Sequence, residues 1–452
     1  MDFDVSYSLE NEQQFWDELD EIVGAHCETQ SFVDNALKTY LMFTSSFTGI
    51  FLLAVVVIGG SIALVNTETV DEYLNTEYDW AKCAFKLLES SLFLKNKHHV
   101  RRRMIGRLRK ETSNTKLRLI TNVLLYDGRQ HQKTFELMQE EGLFSRLMEM
   151  VAQKREEDRI LWSSVLDLLY EMSRIQRLRR EDLDSIGDGF ISYLFQLVEE
   201  DPDDLNDPYH YPVIRMLLVL NEQYMVSAHA PPRDGAPEDS NAPTNKVIKI
   251  LCFYGSTYKT FGENIILCLN RESETCLQLL ILKLLYLLFT TSATYEYFYT
   301  NDLRVLVDVM IRNLLDLPEE SESLRHTYLR VLYPLLEHTQ LRHVHYKRDE
   351  ILSLLECLSG VRSNHFQPVD QTTARLVSRC ANVQWIKAPP GETMHPENPA
   401  HRLLGMSLGR QAQSSMSVLE VASQSEKPGV YTPSRNRGIN GDTSGVEIAG
   451  EA

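Results

Sequence analysis

Cysteine is scarce in this sequence and follows no pattern. Its seven cysteines include no Cys-x-x-Cys pair, so neither a disulfide framework nor a zinc ribbon is indicated. Scattered thiols in odd number are typical of reduced, mostly buried side chains in a cytosolic protein. Asn-x-Ser/Thr acceptors for glycosylation are absent too, and the first residues are acidic rather than basic and then apolar. We therefore expect a cytosolic protein without a signal peptide.

Sequence motifs of catalysis are also missing. There is no Gly-rich phosphate loop, no His-Glu-x-x-His and no Gly-x-Ser-x-Gly. Three histidines that lie close in sequence, His338, His343 and His345, are more typical of helix ends than of a metal site. Acid pairs such as Glu140 and Glu141 are typical of helix surfaces. We predict that the chain is not an enzyme and that it holds no metal and no cofactor.

Positive charge is in short supply, because 46 Lys and Arg face 63 Asp and Glu, which gives a formal net charge of −17. This balance argues against nucleic-acid binding, which needs a basic surface. One run departs from it: Lys95–Arg118 holds ten Lys and Arg and a single acid, Glu111. Either the run is a solvated helix face, or it forms a positive patch for an acidic protein surface or anionic lipid headgroups. The candidate patch residues are Arg101, Arg102, Arg103, Arg107 and Arg109.

Charge is absent altogether from Thr39 to Thr67, and the centre of this segment, Gly49–Val65, is almost wholly apolar. That centre is near the lower limit for a transmembrane helix, which needs about 17–25 residues. No Lys or Arg cluster flanks it closely to set an orientation. Three interpretations are open for residues 48–72: a membrane span, a buried helix, or an insertion foreign to the fold. Of the three we favour the insertion.

Helical periodicity dominates the rest of the sequence. Leu303, Leu306 and Val307 show the i, i+3, i+4 spacing of one buried helix face. Pro334 lies inside the next such stripe, where a kink or a broken helix is expected. The segment Glu274–Thr290 is apolar nearly all round, which is typical of a helix covered by several neighbours.

Repeated amphipathic helices of this kind predict an all-α, armadillo- or HEAT-like helical solenoid, in which each helix pair buries its apolar face against the next pair. We assign residues 1–47 to the first helices of the array and 48–72 to the apolar insert. Residues 73–386 form a leucine-rich domain with a surface loop at 227–246. From 387 to 452 the composition shifts to Pro, Gly, Ser, Gln and Asn, which predicts a disordered C-terminal tail.

Two stretches of the sequence resemble a known protein family. Tyr295–Leu341, which contains FYTNDLRVLVDVMIRNL and LRHTYLRVLYPLL, resembles the leucine-rich region of the WISH/DIP family. Residues 78–109, YDWAKCAFKLLESSLFLKNKHHVRRRMIGRLR, look like the fungal branch of that family. Together the resemblance covers much of residues 1–47 and 73–385, and it implies an armadillo-type helical fold.

This resemblance also implies a function in actin assembly. Members of the family bind and activate the actin-related protein 2/3 complex, so that it nucleates a linear filament without a pre-existing one. Fungal members act in cortical actin patches during endocytosis, which implies a cytoplasmic, cortical location. Two alternatives stay open. One is a cortical scaffold that binds SH3 domains through the Pro-x-x-Pro at Pro396 to Pro399 and nucleates nothing; the other is a membrane-anchored helical-repeat protein.

Candidate partner-binding residues follow from the same resemblance. They lie in the entry motif of the leucine-rich region, on the next helix, and at a basic pair downstream: Phe298, Tyr299, Asn301, Asp302, Arg304, Arg325, Arg330, Lys347 and Arg348. Their expected roles are salt bridges and hydrogen bonds to acidic surface on the complex, with aromatic rings as anchors. For each of them the alternative is a structural role in holding the repeats together.

Overall fold

The structure, a computed structural model, describes most of the chain: residues 11–25, 29–47, 53–58, 61–66, 73–74, 76–200, 210–229, 243–318, 320–360, 370–387, 418–419 and 421–423. Most of the predicted loop at 227–246 and of the predicted tail at 387–452 lies outside these residues. The Pro-x-x-Pro at Pro396 to Pro399 lies outside them entirely.

The chain divides into two compact units. Unit 1 comprises Met1–Asn221 and Asn245–Asn264, and unit 2 comprises Glu222–Thr244 and Ile265–Ala452. Two helices, α11 (Tyr211–Ala228) and α13 (Lys259–Arg271), contribute residues to both units. In each unit the principal contacts join helices that lie two or three elements apart in the chain.

In unit 1 the central row of helices is α3 (Glu77–Glu89), α5 (Asn114–Gln130) and α8 (Arg159–Ile175), each packed on the next. Helix α4 (Ser91–Lys110) lies beside this row and contacts both α2 and α5. Its helical geometry is interrupted at Asn96. The remaining helices of this unit are α1 Glu12–Gly24, α2 Gln30–Ser46, α6 Lys133–Glu140, α7 Leu143–Gln153, α9 Arg180–Ser185, α10 Asp188–Glu199 and α12 Lys246–Tyr254.

In unit 2 the corresponding row is α14 (Thr275–Thr290), α16 (Glu322–His338) and α19 (Gln371–Ala381). Helices α15 (Thr300–Asp316) and α18 (Arg348–Leu358) pack on each other and on this row. The all-α fold with stacked helices is confirmed, and α14 is buried around most of its circumference, as its apolar sequence predicts. The remaining elements are the 3-10 helix Ser292–Thr294, α17 Leu341–Val344 and α20 Gln384–Lys387.

Helix α16 runs without a break through Pro334. A proline removes one backbone N–H from a helix interior, and the sequence allowed either a kink or a broken helix there. The break does not occur because the buried face of α16 packs against both α14 and α19, and this tertiary packing outweighs the one missing hydrogen bond.

The apolar segment at 48–72 contains a β-hairpin, β1 (Leu53–Ile58) and β2 (Ser61–Asn66), which pair antiparallel with Ile58 opposite Ser61. The structure thus describes strands at these positions, where two of the three interpretations, a membrane span and a buried helix, expect a helix. The β-branched residues of the segment favour a strand, and a Gly-Gly dipeptide between two apolar runs is a sequence signal for a hairpin. In the described part of the chain, no helix combines the length and apolarity needed to cross a bilayer.

Candidate partner-binding surfaces

The entry motif of the leucine-rich region lies at the start of α15. Tyr299 precedes the helix and exposes 57% of its surface. The carboxylate of Asp302 accepts the backbone N–H of Tyr299 at 3.3 Å, so Asp302 holds the first turn in place. Asn301 is exposed and accepts a hydrogen bond from Arg304 at 3.4 Å. The motif thus presents an exposed ring beside two polar side chains.

A short linker between α17 and α18 brings a second group to the same helix. Tyr346 donates a hydrogen bond from its hydroxyl to Asp308 of α15 at 3.1 Å. The ammonium of Lys347 lies 3.3 Å from Asp308 and 3.0 Å from Glu350. The guanidinium of Arg304 lies 5.5 Å from the centre of the Tyr346 ring, within cation–π range.

Left-handed backbone geometry makes this linker possible. His345 and Lys347 have φ angles of +52° and +50°, a region that costs a non-glycine residue about 1–2 kcal/mol. Such strain persists where the surrounding contacts hold it in place. These contacts gather five side chains, Asn301, Arg304, Asp308, Tyr346 and Lys347. We define the α15 surface as these five together with the exposed ring of Tyr299 at the start of the helix.

Burial and hydrogen bonds shift the acid–base behaviour of this surface. Partial burial and the hydrogen bond to Asp308 raise the pKa of Tyr346, and the bond to Glu350, with Asp308 nearby, raises the pKa of Lys347. Both groups therefore keep their protons at neutral pH. The α15 surface is a mixed one, in which each cation has a close polar, acidic or aromatic neighbour.

Four of the other predicted residues do not join the α15 surface. Phe298 is buried and packs against the rings of Phe289 and Tyr297. Arg330 is buried within α16. Arg348 donates to the carbonyl of Trp385 at 3.2 Å. The contacts of Phe298 and Arg348, and the burial of Arg330, place these three side chains in the packing of unit 2.

Arg325 is the fourth of these residues. Its guanidinium donates to the carbonyls of Leu317 and Pro318, at 3.3 and 2.8 Å. These carbonyls follow the C-terminus of α15, a helix of 17 residues that is about 25 Å long. Arg325 therefore lies at the far end of α15 from Asn301 and completes the helix terminus there.

Most of the basic run of unit 1 lies on α4, with Lys116 and Arg118 on α5, and α4 divides its arginines between two faces. Arg101 is buried and forms a bidentate salt bridge with Asp127 of α5, with both N–O distances at 2.7 Å. Arg102, Arg103 and Arg109 are exposed, and Arg107 is half-buried. These last four residues define the α4 surface. Of the five predicted patch residues, Arg101 is thus the one that is buried and forms a salt bridge inside the fold.

Acidic neighbours balance part of the α4 surface. Asp34 of α2 accepts a hydrogen bond from Arg103 at 2.6 Å, and this bond holds the pKa of Asp34 below its usual value. Glu141 lies 3.9 Å from Arg102 and 3.5 Å from Arg109.

Sequence reasoning did not identify Asp34, Asp308 or Tyr346, because their contacts with the predicted residues depend on the fold. For Asp308, the i, i+4 spacing from Arg304 was an available signal.

Comparison with known proteins relates the chain to one family. The profile of the SPIN90/Ldb17 leucine-rich domain matches residues 206–351, a range that contains the whole α15 surface. The chain is 30% identical to Protein dip1 of Schizosaccharomyces pombe over 389 residues, 85% of this chain and 96% of that protein. It is 28% identical to Protein LDB17 of Eremothecium gossypii over 400 residues, 81% and 80% of the two chains. It is 34% identical to Protein LDB17 of Saccharomyces cerevisiae over 233 residues, 50% and 45%.

Proposed function

Because the chain belongs to the SPIN90/Ldb17 family, we propose that it binds and activates the actin-related protein 2/3 complex. The activated complex would then nucleate linear actin filaments, without a pre-existing filament, in cortical patches during endocytosis. The observation that carries the proposal is the similarity to Protein dip1 across 85% of the chain, together with the activity that the sequence resemblance implies. The protein would act by binding, and it would perform no bond chemistry.

The α15 surface supports this proposal because it has the composition of a protein-binding site. Exposed tyrosine and arginine are the residue types enriched among the energetically dominant contacts of interfaces. Tyr299 offers an exposed ring, and Arg304 is already held by Asn301 and the Tyr346 ring. Side chains held in place before binding lose less conformational entropy when a partner arrives.

Activation by binding has a simple thermodynamic form. A partner that binds the active arrangement of the complex more tightly than the inactive one shifts that equilibrium by the ratio of the two affinities. Within unit 2, α15 packs on α16 and α18, so its exposed residues are carried by buried helices. We infer that this packed support lets the surface favour one arrangement of its partner.

The decisive experiment is a polymerisation assay with pyrene-labelled actin, the purified complex, and this protein, without added filaments. The expected result is a shorter lag that depends on the concentration of this protein. An unchanged lag at saturating protein would contradict the proposal. A pull-down of the complex that still succeeds while the lag is unchanged would indicate the alternative, a non-nucleating scaffold.

A pair of matched variants tests whether the α15 surface is the one that binds the complex. Tyr299→Ala removes a side chain that is 57% exposed in unit 2, and Tyr254→Ala removes one that is 54% exposed in unit 1. We expect Tyr299→Ala to weaken binding by about tenfold or more, as for an interface anchor, and Tyr254→Ala to leave it unchanged. Equal effects would assign the binding site to another surface. Deletion of residues 388–452 should remove any SH3 binding through Pro396 to Pro399 and leave nucleation intact.

A further inference from the structure

A cleft of about 450 Å³ opens on the α4 surface of unit 1. Its walls include Arg102, Arg103, Arg107 and Arg109. Gly106 lies among them on the same helix, and a Cβ atom built there would meet no atom within 4 Å. The missing side chain therefore leaves an open space between guanidinium groups, in the volume range of small-molecule sites.

The charge of this cleft is positive in a chain that is strongly negative. Five of its eight lining residues are basic, the four arginines and Lys110, and two are acidic, Asp34 and Glu111. Five minus two leaves an excess of three positive charges. If Glu141 beside Arg102 and Arg109 is counted as well, five minus three still leaves two. The internal acids therefore do not neutralise the cleft.

Within the cleft, Arg107 is the arginine whose charge is least compensated. It is half-buried, and among the described residues no acid lies within salt-bridge distance of it. Burial and the neighbouring charge of Arg103 lower the pKa of Arg107. A bound anion would relieve both effects, since it replaces lost solvation and opposes the repulsion.

The geometry favours phosphate over carboxylate. Arginine is a rigid fork that binds the oxygens of a phosphate group in pairs. This cleft places four arginines around one open space, and of these Arg103 is already paired with Asp34. A phosphate carries up to two charges and three acceptor oxygens, so a ligand with two phosphates on one small ring has enough negative charge to offset the excess of two to three positive charges. An extended acidic peptide needs a groove and alternating pockets, whereas this site is a compact cleft.

We propose that the α4 cleft binds a compact ligand with two or more phosphate groups, such as a phosphorylated inositol ring. The ring could belong to a membrane lipid or to a soluble inositol phosphate, and the site chemistry is the same for both. This site is independent of the actin function proposed above. It lies in unit 1, whereas the α15 surface lies in unit 2.

Titration calorimetry of the full chain with inositol 1,4,5-trisphosphate tests the site directly. We expect saturable binding with one ligand per chain, weakened by added salt. Absence of heat together with absence of vesicle binding would overturn the proposal. A glutamate-rich peptide that binds more tightly than the trisphosphate would also overturn it and would indicate an acidic protein partner instead.

Vesicle flotation distinguishes the two sources of the ligand. One set of vesicles contains phosphatidylcholine with phosphatidylinositol 4,5-bisphosphate, and the other contains phosphatidylcholine with phosphatidylserine at matched total charge. Binding to the first set alone supports a membrane headgroup. Binding of the trisphosphate without flotation supports a soluble ligand. Equal binding to both sets would indicate adsorption by charge alone and would contradict a shaped site.

Three variants locate binding in the cleft. Arg107→Gln should weaken trisphosphate binding about tenfold or more, because a charged hydrogen bond is lost. Lys95→Gln removes the same charge from the exposed part of α4 outside the cleft and should change little. Asp34→Asn frees Arg103 from its internal partner and should tighten binding several-fold. Were Asp34→Asn to weaken binding as Arg107→Gln does, with circular dichroism unchanged, the proposal would fail.

Discussion

Each unit buries an ion pair, and the two pairs differ in what holds them. In unit 1, Arg101 and Asp127 form a two-point bridge at 2.7 Å, and Thr134 donates a further hydrogen bond to Asp127. In unit 2, Lys283 of α14 donates to one carboxylate oxygen of Glu222. The other oxygen of Glu222 is buried with no hydrogen-bond partner among the described residues. Both carboxylate oxygens of Asp127 therefore accept hydrogen bonds, whereas one oxygen of Glu222 accepts none within the described part of the chain.

The cations of the two pairs also differ in chemistry. Arginine does not lose its proton under ordinary conditions, whereas a buried lysine can. Burial lowers the pKa of Lys283, although Glu222 opposes the shift. The buried cation of unit 1, Arg101, is therefore permanently charged. The buried cation of unit 2, Lys283, can lose its charge by deprotonation. Removing one partner of a buried ion pair destabilises the fold, and the loss is larger when the remaining partner cannot become neutral.

The largest expected effect is in unit 1. Asp127→Ala leaves Arg101 buried without its counter-ion, so we expect a loss of about 3–5 kcal/mol in the free energy of unfolding. Urea unfolding followed by circular dichroism measures it. Asp34→Ala removes an acid that pairs with the exposed Arg103 and with His99, and that control should cost no more than about 1 kcal/mol for each pair. Similar losses in both variants would show that the buried and the exposed ion pairs of α4 contribute equally to stability, which would contradict this prediction.

A smaller and pH-dependent effect is expected in unit 2. Glu222→Ala at pH 7 should cost less than Asp127→Ala, because Lys283 can become neutral. Its folded-state pKa then lies further below the usual 10.5, so the unfolded state binds more protons. The stability of the variant relative to the wild type therefore rises from pH 7 to pH 10, by at most about 1.4 kcal/mol per pH unit.

Urea unfolding at pH 7, 8.5 and 10 checks this prediction, with Asp127→Ala as the control that should show no such recovery. A deficit of Glu222→Ala that stays the same across this range would mean that Lys283 remains charged. The distinction between the two buried pairs would then disappear.

Two arginines nearer the surface of unit 2 are expected to differ in the same way, but with smaller losses of stability. Arg325→Ala removes the hydrogen bonds to the carbonyls of Leu317 and Pro318 and should cost about 1–2 kcal/mol. Arg304→Ala, on the α15 surface, should stay within about 0.5 kcal/mol. Thermal unfolding measures both. If Arg304→Ala proved the more destabilising of the two, Arg304 would be a packing residue and a poor candidate for partner binding.

The smallest effect concerns His326 of α16, whose ring contacts Asp370 at 3.0 Å and Thr373 at 2.9 Å at the start of α19. Burial and the nearby Arg330 lower the pKa of His326 below its usual 6.5. The unfolded state therefore takes up its proton first as the pH falls, and stability decreases below about pH 6.5. Replacement by Gln should flatten this dependence, by less than about 1 kcal/mol between pH 6.5 and 5. A parallel slope in the variant and the wild type would assign the dependence to other groups.

Much of the fold could be predicted from the sequence because helix burial leaves a local signal. The spacing of Leu303, Leu306 and Val307 predicts the buried face of α15, and the apolar run at 274–290 predicts α14. The hairpin was missed because a short apolar run is compatible with helix or strand. There the valines and the Gly-Gly pair were the better signal.

The buried ion pairs and the α15 surface were beyond sequence reasoning for a different reason. Asp127 lies 26 residues from Arg101, and Glu222 lies 61 residues from Lys283. No local pattern relates such partners. The triple arginine run likewise looks uniform in sequence, and the packing of α4 on α5 decides that Arg101 is buried and Arg102 is exposed.

The hairpin between α2 and α3 has one more consequence. The rings on either side of residues 48–72, Phe47 and Tyr73, lie 5.8 Å apart between centroids, and both contact Phe15. The ends of the two helical stretches that flank the hairpin therefore lie close together, so a short Gly-Ser bridge can join Phe47 to Tyr73. We expect such a shortened protein to keep its melting temperature. The same junction then becomes a natural place to graft a fluorescent reporter.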